Sequence, residues 1–268
     1  MSVEPCRSGL LAAGVRAWRA GRCAPDDVLH LVTGHDEPHR VHGLPVRQSI
    51  GLGEATGGDD GEPLVAALLA LRDERPTAAL VVPGDPRGLP GPGPLTDAAL
   101  MAGEAVVGDS IGLVPVVSRH GSAVGSQAVV VRWQAHPVEQ RRDEPLDVAT
   151  AEHELTDALR EAASLLAGLD VASWRPELAE AVAALRRPTR APALPAGFEP
   201  RSLRVLGLSD RLDRVLQLAA MDAPGGAVNA LQARSRQEAL AGLATAVRRA
   251  RAAAYNAPVP EAGRAAGR

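Results

Sequence analysis

Apolar residues recur along this chain at two different periods, and the change from one to the other divides it. From about Ser8 to Ala20, Leu11, Val15 and Trp18 fall on one helical stripe with Arg16 and Arg19 off it. A second helix is predicted after Pro25, where Asp26 and Asp27 suit the positive end of the helix dipole and Gly34 can close the last turn. Residues 44–52 carry a weaker strand pattern around Val46 and Ile50, followed by a Gly- and Asp-rich loop from Gly53 to Glu62. The stretch from Glu62 to Arg75 reads as a helix on Leu64, Val65, Leu68, Leu69 and Leu71, stopped by Pro76. Ala79 to Val82 reads as a short buried strand. Thr96 suits an N-cap for a helix from Asp97 to Val107. Leu113 to Ser118 and Gln127 to Gln134 read as strands, and the turn residues between them suit a hairpin.

This alternation predicts an α/β or α+β domain over residues 1–145. After Pro145 only the helical period remains. Leu155, Leu159, Ala162, Leu166 and Leu169 share a stripe, Ser173 suits a cap, and Pro188, Pro192, Pro195 and Pro200 mark a stiff connector over 188–200. Ser209 reads as the N-cap of a further helix broken at Gly225 and Gly226, and a last one extends from about Ala227 to Tyr255. The expected second domain is therefore all-helical over 146–257, with a disordered tail over 258–268.

Charge sharpens the division. Residues 199–268 hold 11 Arg against 6 acids, whereas residues 1–198 hold 18 Arg against 26 acids, so the two parts differ in sign. All 29 basic residues are arginine, which excludes Schiff-base and P-loop lysine chemistry. Aromatics are 2% of the chain, too few for stacking platforms that bind single strands. Cys6 and Cys23 are the only cysteines and read as reduced thiols. The short apolar stretch at Leu10 to Val15, followed by Arg16, Arg19 and Arg22, is no secretory signal, and no run approaches a membrane span. The chain reads as soluble and cytoplasmic, without a membrane partner.

Three segments carry candidate chemistry. The loop Pro83 to Pro94 leaves a strand and enters a helix, where α/β sheets place ligand crevices. Gly84, Gly88, Gly91 and Gly93 permit close backbone approach, Asp85 and Arg87 supply charge, and Thr96 stands at the helix start, so the loop is a candidate anion or nucleotide site. It matches neither GxGxxG nor GxxxxGK[ST], and its prolines lack amide donors. A rigid, partner-facing loop is the alternative.

His35, His39 and His42 lie within eight residues, with Asp36 and Glu37 between them, a candidate metal set. The spacing HDEPH is not HExxH, and Pro38 opposes a continuous helix through it. Arg248, Arg249 and Arg251 make the last helix basic and are candidate phosphate contacts, although docking on the acidic N-terminal half explains the charge equally well. Ser122 and Ser126 follow His120, but neither sits in GxSxG. The sequence names no cofactor and no reaction. It favours a non-enzymatic interaction or accessory protein whose partner is another protein or a second copy, ahead of an anion-binding enzyme or a nucleic-acid binder.

Overall fold

The structure is a computed structural model that describes residues 6–45, 61–121, 128–139, 145–168, 194–221 and 230–262. The chain divides into two compact units. One comprises Pro5–Pro145, Leu194–Phe198 and Tyr255–Arg268; the other comprises Met1–Glu4, Leu146–Ala193 and Glu199–Ala254.

The first unit contains helices α1 (Arg7–Arg19), α2 (Pro25–Thr33), α3 (Leu64–Ala70) and α4 (Pro94–Ala102). Its strands are β1 (Arg40–His42), β2 (Glu62–Pro63), β3 (Thr77–Leu80), β4 (Glu104–Val107), β5 (Ile111–His120) and β6 (Ala128–Pro137). They form one mixed sheet in the order β2-β1-β6-β5-β4-β3. Only the β1–β6 pair is parallel. The long hairpin β5–β6 supplies its centre, in unbroken register from Ile111↔Pro137 to His120↔Ala128.

Strand alternation gives this sheet two different faces. On one, Ala78, Val106, Leu113, Val131, Trp133 and Val41 are buried. Helix α1 packs across β3, β4 and β5, and α3 packs on β1. Small residues let α1 come close to its neighbours: a Cβ on Gly9 would stand 2.5 Å from the Tyr255 ring, and one on Gly14 would stand 2.5 Å from Val28. On the other face, α4 sets Leu95 and Ala99 against Ala79, Val81, Ala105, Val107 and Val114. Gly112 makes room for Leu95, since a Cβ there would lie 2.4 Å from its side chain.

Both sheet edges are blunted, which removes templates for intermolecular pairing. Strand β2 has two residues, one of them Pro63. The outer edge of β3 is met by Asn256, whose amide accepts from Ala78 N–H at 2.7 Å and donates to Ala78 C=O at 2.8 Å. Arg16 on α1 braces the same corner through the carbonyls of Pro76 and Tyr255.

The described elements of the other unit are three helices: α5 (Val148–Gly168), α6 (Pro200–Met221) and α7 (Ala230–Tyr255, of which Tyr255 belongs to the first unit). Their buried stripes are helical in spacing: Val148, Ala151, Leu155 and Ala162 on α5; Val205, Leu206 and Ser209 on α6; Leu243, Ala246, Val247 and Ala250 on α7. Ion pairs link the three: Arg201–Glu152 at 2.9 Å, Arg249–Glu154 at 2.9 Å and Arg251–Asp210 at 3.0 Å.

Several expectations are corrected. The helix placed over Asp97–Val107 is α4 followed by strand β4, because Gly103 enters the left-handed region at φ 81° and ends the helix at Ala102. Thr96 is not the cap: Gly93 takes that place, and the Thr96 hydroxyl donates to the Gly91 carbonyl. The helix over Glu62–Arg75 shrinks to Leu64–Ala70, since Glu74 turns away to accept from the N–H groups of Asp109 and Ser110. Ser209 is no N-cap; it lies within α6, which starts at Pro200. The tail is not frayed over 258–262, where Arg22 donates to the carbonyls of Pro260 and Glu261, and Ala262 N–H meets Ala20 C=O. The strand over 44–52 and the cap at Ser173 fall wholly or largely outside the described residues, while β1 precedes them at Arg40–His42.

Asn256→Ala removes both bonds to Ala78 and leaves the β3 edge to find water. The expected loss is about 2 kcal/mol, at roughly 1 kcal/mol per neutral hydrogen bond. Urea denaturation monitored by circular dichroism measures it; an unchanged midpoint would deny Asn256 this role.

Candidate functional site

The loop from Val81 to Gly93 is tied down at each turn. Asp85 N–H donates to Val82 C=O at 2.9 Å across Gly84, and Leu89 N–H donates to Pro86 C=O at 3.2 Å across Gly88. Both glycines have positive φ, 89° and 85°, which side chains oppose. Leu89 is the loop's apolar anchor, buried with Leu95 and Ala99. Of the candidate ligand residues, Gly84, Asp85, Arg87, Gly88, Gly91, Gly93 and Thr96 are thus brought into one folded loop. Its polar groups already have uses inside it: Arg87 Nε meets Asp85 Oδ1 at 3.3 Å, and the first turn of α4 holds Asp97. What faces outward is largely proline, with Val82 at 38% exposure and Met101 at 90% nearby, because Val81 N–H bonds Gly103 C=O.

The histidine cluster is separated by the strand it enters. His35 is exposed on the turn after α2, His39 is buried, and His42 lies on β1 with a buried, unbonded Nε2 against Gly61. Among the described residues, no three His, Cys, Asp or Glu side chains stand together as a metal set.

His39 instead joins a polar chain that local spacing did not reveal. Asp36 Oδ2 accepts from Arg7 Nε at 2.7 Å and from His39 Nε2 at 3.2 Å, while Trp133 Nε1–H donates to His39 Nδ1 at 3.2 Å. The indole nitrogen is a donor only, so His39 carries its proton on Nε2 and uses Nδ1 as acceptor. Burial lowers the His39 pKa against the pull of Asp36. The fully buried His39 side chain, with both ring nitrogens engaged, and its partner Asp36 together position α1, the α2–β1 turn and β6. The one hint in the sequence was the Asp36-to-His39 spacing.

A second polar anchor holds the start of α1. Glu104 Oε2 accepts from the Cys6 thiol at 3.2 Å and from Ser8 N–H at 2.9 Å, and Cys6 Sγ accepts from Gly9 N–H at 3.3 Å. No disulfide joins Cys6 to Cys23, and burial followed by Asp27 raises the Cys23 pKa.

The arginines of α7 face acids of their own unit. Arg249 meets Glu154, and Arg251 reaches Asp210 at 3.0 Å and Asp213 at 3.7 Å. Arg248 is half-buried beside them. Burial raises the Asp210 pKa, opposed by Arg251 and Arg214.

A family model described as the N-terminal domain of Rv1486c-like protein matches residues 8–153, and one for the C-terminal domain matches residues 149–252. The chain belongs to the Rv1486c-like family and has its two-domain architecture. Curated relatives include "Uncharacterized protein Rv1486c" and "Uncharacterized protein MT1533" of two Mycobacterium tuberculosis strains, each 29% identical over 94% of this chain and 96% of the relative. No solved structure matches. No helix among the described residues is long and apolar enough to cross a membrane.

Two measurements test these networks. Because the folded-state pKa of His39 is depressed, the unfolded chain binds its proton first on acidification, and stability falls as pH drops below about 6.5. Urea midpoints from pH 7.5 to pH 5 should show this decline, and His39→Gln should reduce it, leaving the part that comes from His136, whose pKa burial also lowers. Separately, Arg251→Met takes one of two neighbouring cations, the other being Arg214, from the Asp210 carboxylate and should cost more than Arg249→Met, which removes a more exposed pair worth about 0.5 kcal/mol. Equal losses in thermal melts would refute this ranking.

Proposed function

We propose that this protein is a non-enzymatic interaction or accessory protein whose contact surface is the proline–glycine loop 83–94 with Val82 and Met101, and whose partner is another protein or a second copy. The observation that carries the reading is the outward side of that loop. Met101 is 90% exposed on the short helix that the loop enters, and Val82 at the loop's start is 38% exposed. An apolar methionine and a valine beside a row of prolines, held on a preformed loop, give a binding surface that loses little entropy when covered.

The polar groups of the anion-site alternative support this choice. Arg87 is drawn to Asp85, Thr96 is spent on Gly91, and Asp97 sets a carboxylate at the start of α4. For the basic-helix alternative, phosphate would compete with Glu154, Asp210 and Asp213 for Arg249 and Arg251. A helical second domain and a cytoplasmic setting belong to the same reading.

The test is affinity capture from native lysate with wild type and a Val82→Glu/Met101→Glu double variant. Wild type should retain a stoichiometric partner that the double variant, equally stable by circular dichroism, loses. Equal retention by both would remove the loop as the contact surface, and a chain that remains alone at cellular concentration would overturn the reading.

A further inference from the structure

Helix α4 covers its face of the sheet only as far as Val114, which is fully buried. Two residues further along β5, Val116 is 38% exposed, and among the described residues Arg132 on β6 and Arg40 on β1 are exposed on the same face. Register sets what it displays. Val116 lies opposite Arg132, and Arg132 lies opposite Arg40. Both arginines are exposed and point away from the Trp133–Val41 side, since their chain neighbours Val41 and Trp133 are the buried ones. Neither has an ion-pair or hydrogen-bond partner among the described residues.

Two like charges directly opposite on adjacent strands repel one another, about 5 Å apart at the backbone, and weaken the sheet. Here the repulsion falls on β1, a three-residue strand held in the sheet by β6 and the two residues of β2. Several other arginines face acids: Arg7 has Asp36, Arg75 has Asp109, Arg251 has Asp210. What sets Arg40 and Arg132 apart is that two exposed cations stand directly opposite each other at a place where this costs stability.

We propose that the open face of β1, β6 and β5 is a docking surface for an acidic polypeptide segment, whose carboxylates are clamped by Arg40 and Arg132. This deepens the interaction reading by naming a second surface, separate from loop 83–94, and the chemistry of what it takes. Each guanidinium offers a bidentate fork for one carboxylate, and strand spacing suits two acidic side chains of one extended segment. Val116 and Val130 on the same face flank the pair with apolar surface for the segment's other side chains. A nucleic acid fits less well, because among the described residues the patch carries two adjacent cations and no Phe, Tyr or Trp to stack a base, on a chain of net charge −3.

The test uses the full-length chain with a fluorescein-labelled deca-glutamate peptide and an oligothymidine of equal charge, by anisotropy at low and physiological salt. The peptide should bind, and Arg40→Gln or Arg132→Gln should each weaken it about tenfold. Thermal melts of these variants should be unchanged or higher, because the repulsion is relieved; a purely structural role predicts the opposite. Arg72→Gln, an exposed arginine at the end of α3, should leave binding unchanged. No peptide binding, equal weakening by Arg72→Gln, or tighter binding of the oligothymidine through the same two arginines would each overturn the proposal. Val82→Glu/Met101→Glu leaves this face intact, so the loop and the sheet face succeed or fail separately.

Discussion

The first unit depends on a contact made late in the chain. Asn256 closes the β3 edge by pairing with both backbone groups of Ala78, 178 residues away, and the Tyr255 ring fills the space that Gly9 leaves on α1. The residues between Leu146 and Ala254 mostly build the other unit, so the sheet domain is completed only after the helices have been made. Closing so long a loop costs little more entropy than closing a short one, since the penalty grows as the logarithm of length. A strong local contact can therefore sustain it. The N-terminal family match ends at residue 153, so its limits do not include the segment that finishes this fold.

A second constraint acts at the other end of the sheet. Strand β1 has three residues and would be marginal by itself. The chain leading into it is held by the bonds Arg7–Asp36, Asp36–His39 and His39–Trp133, reinforced by Glu37 N–H on Val129 C=O. Arg7, Asp36, His39 and Trp133 are buried or nearly so, where an unmet partner would cost about 1–3 kcal/mol. The network thereby fixes the parallel register of β1 on β6. That register is what places Arg40 beside Arg132 on the opposite face. A buried polar chain on one side of the sheet and an exposed pair of charges on the other have one structural cause.

How much of this was legible depended on whether the signal was local. Helices α1 and α2 were readable because Leu11, Val15, Trp18, Pro25 and Gly34 define periodicity and ends within a few residues. The hairpin strands were readable from their β-branched runs. Strand β4 was hidden because Ala105, Val106 and Val107 continue an apolar stretch, and only Gly103 marks the change of structure. Cap residues misled for the same reason: Thr96 and Ser209 have the right chemistry, but the helix start was set by Pro94 and Pro200 upstream. The loop 83–94 was found by composition. The pairing of His39 with Trp133, and of Arg40 with Arg132, was beyond any window, because sheet register joins residues more than 90 apart.

The two exposed surfaces follow different physical logic. Loop 83–94 is rigid by construction: Leu89 is sunk in the core, and Gly84 and Gly88 turn the backbone where other residues would strain it. Such a loop presents apolar atoms at low entropic cost, so its contribution to binding grows with the area covered. The sheet face presents charge that the fold itself has left uncompensated. Its contribution falls as salt screens it, over a Debye length of about 8 Å at physiological ionic strength. A partner engaging both would be steered by Arg40 and Arg132 and retained by the loop, and the two terms separate because only the first responds strongly to salt.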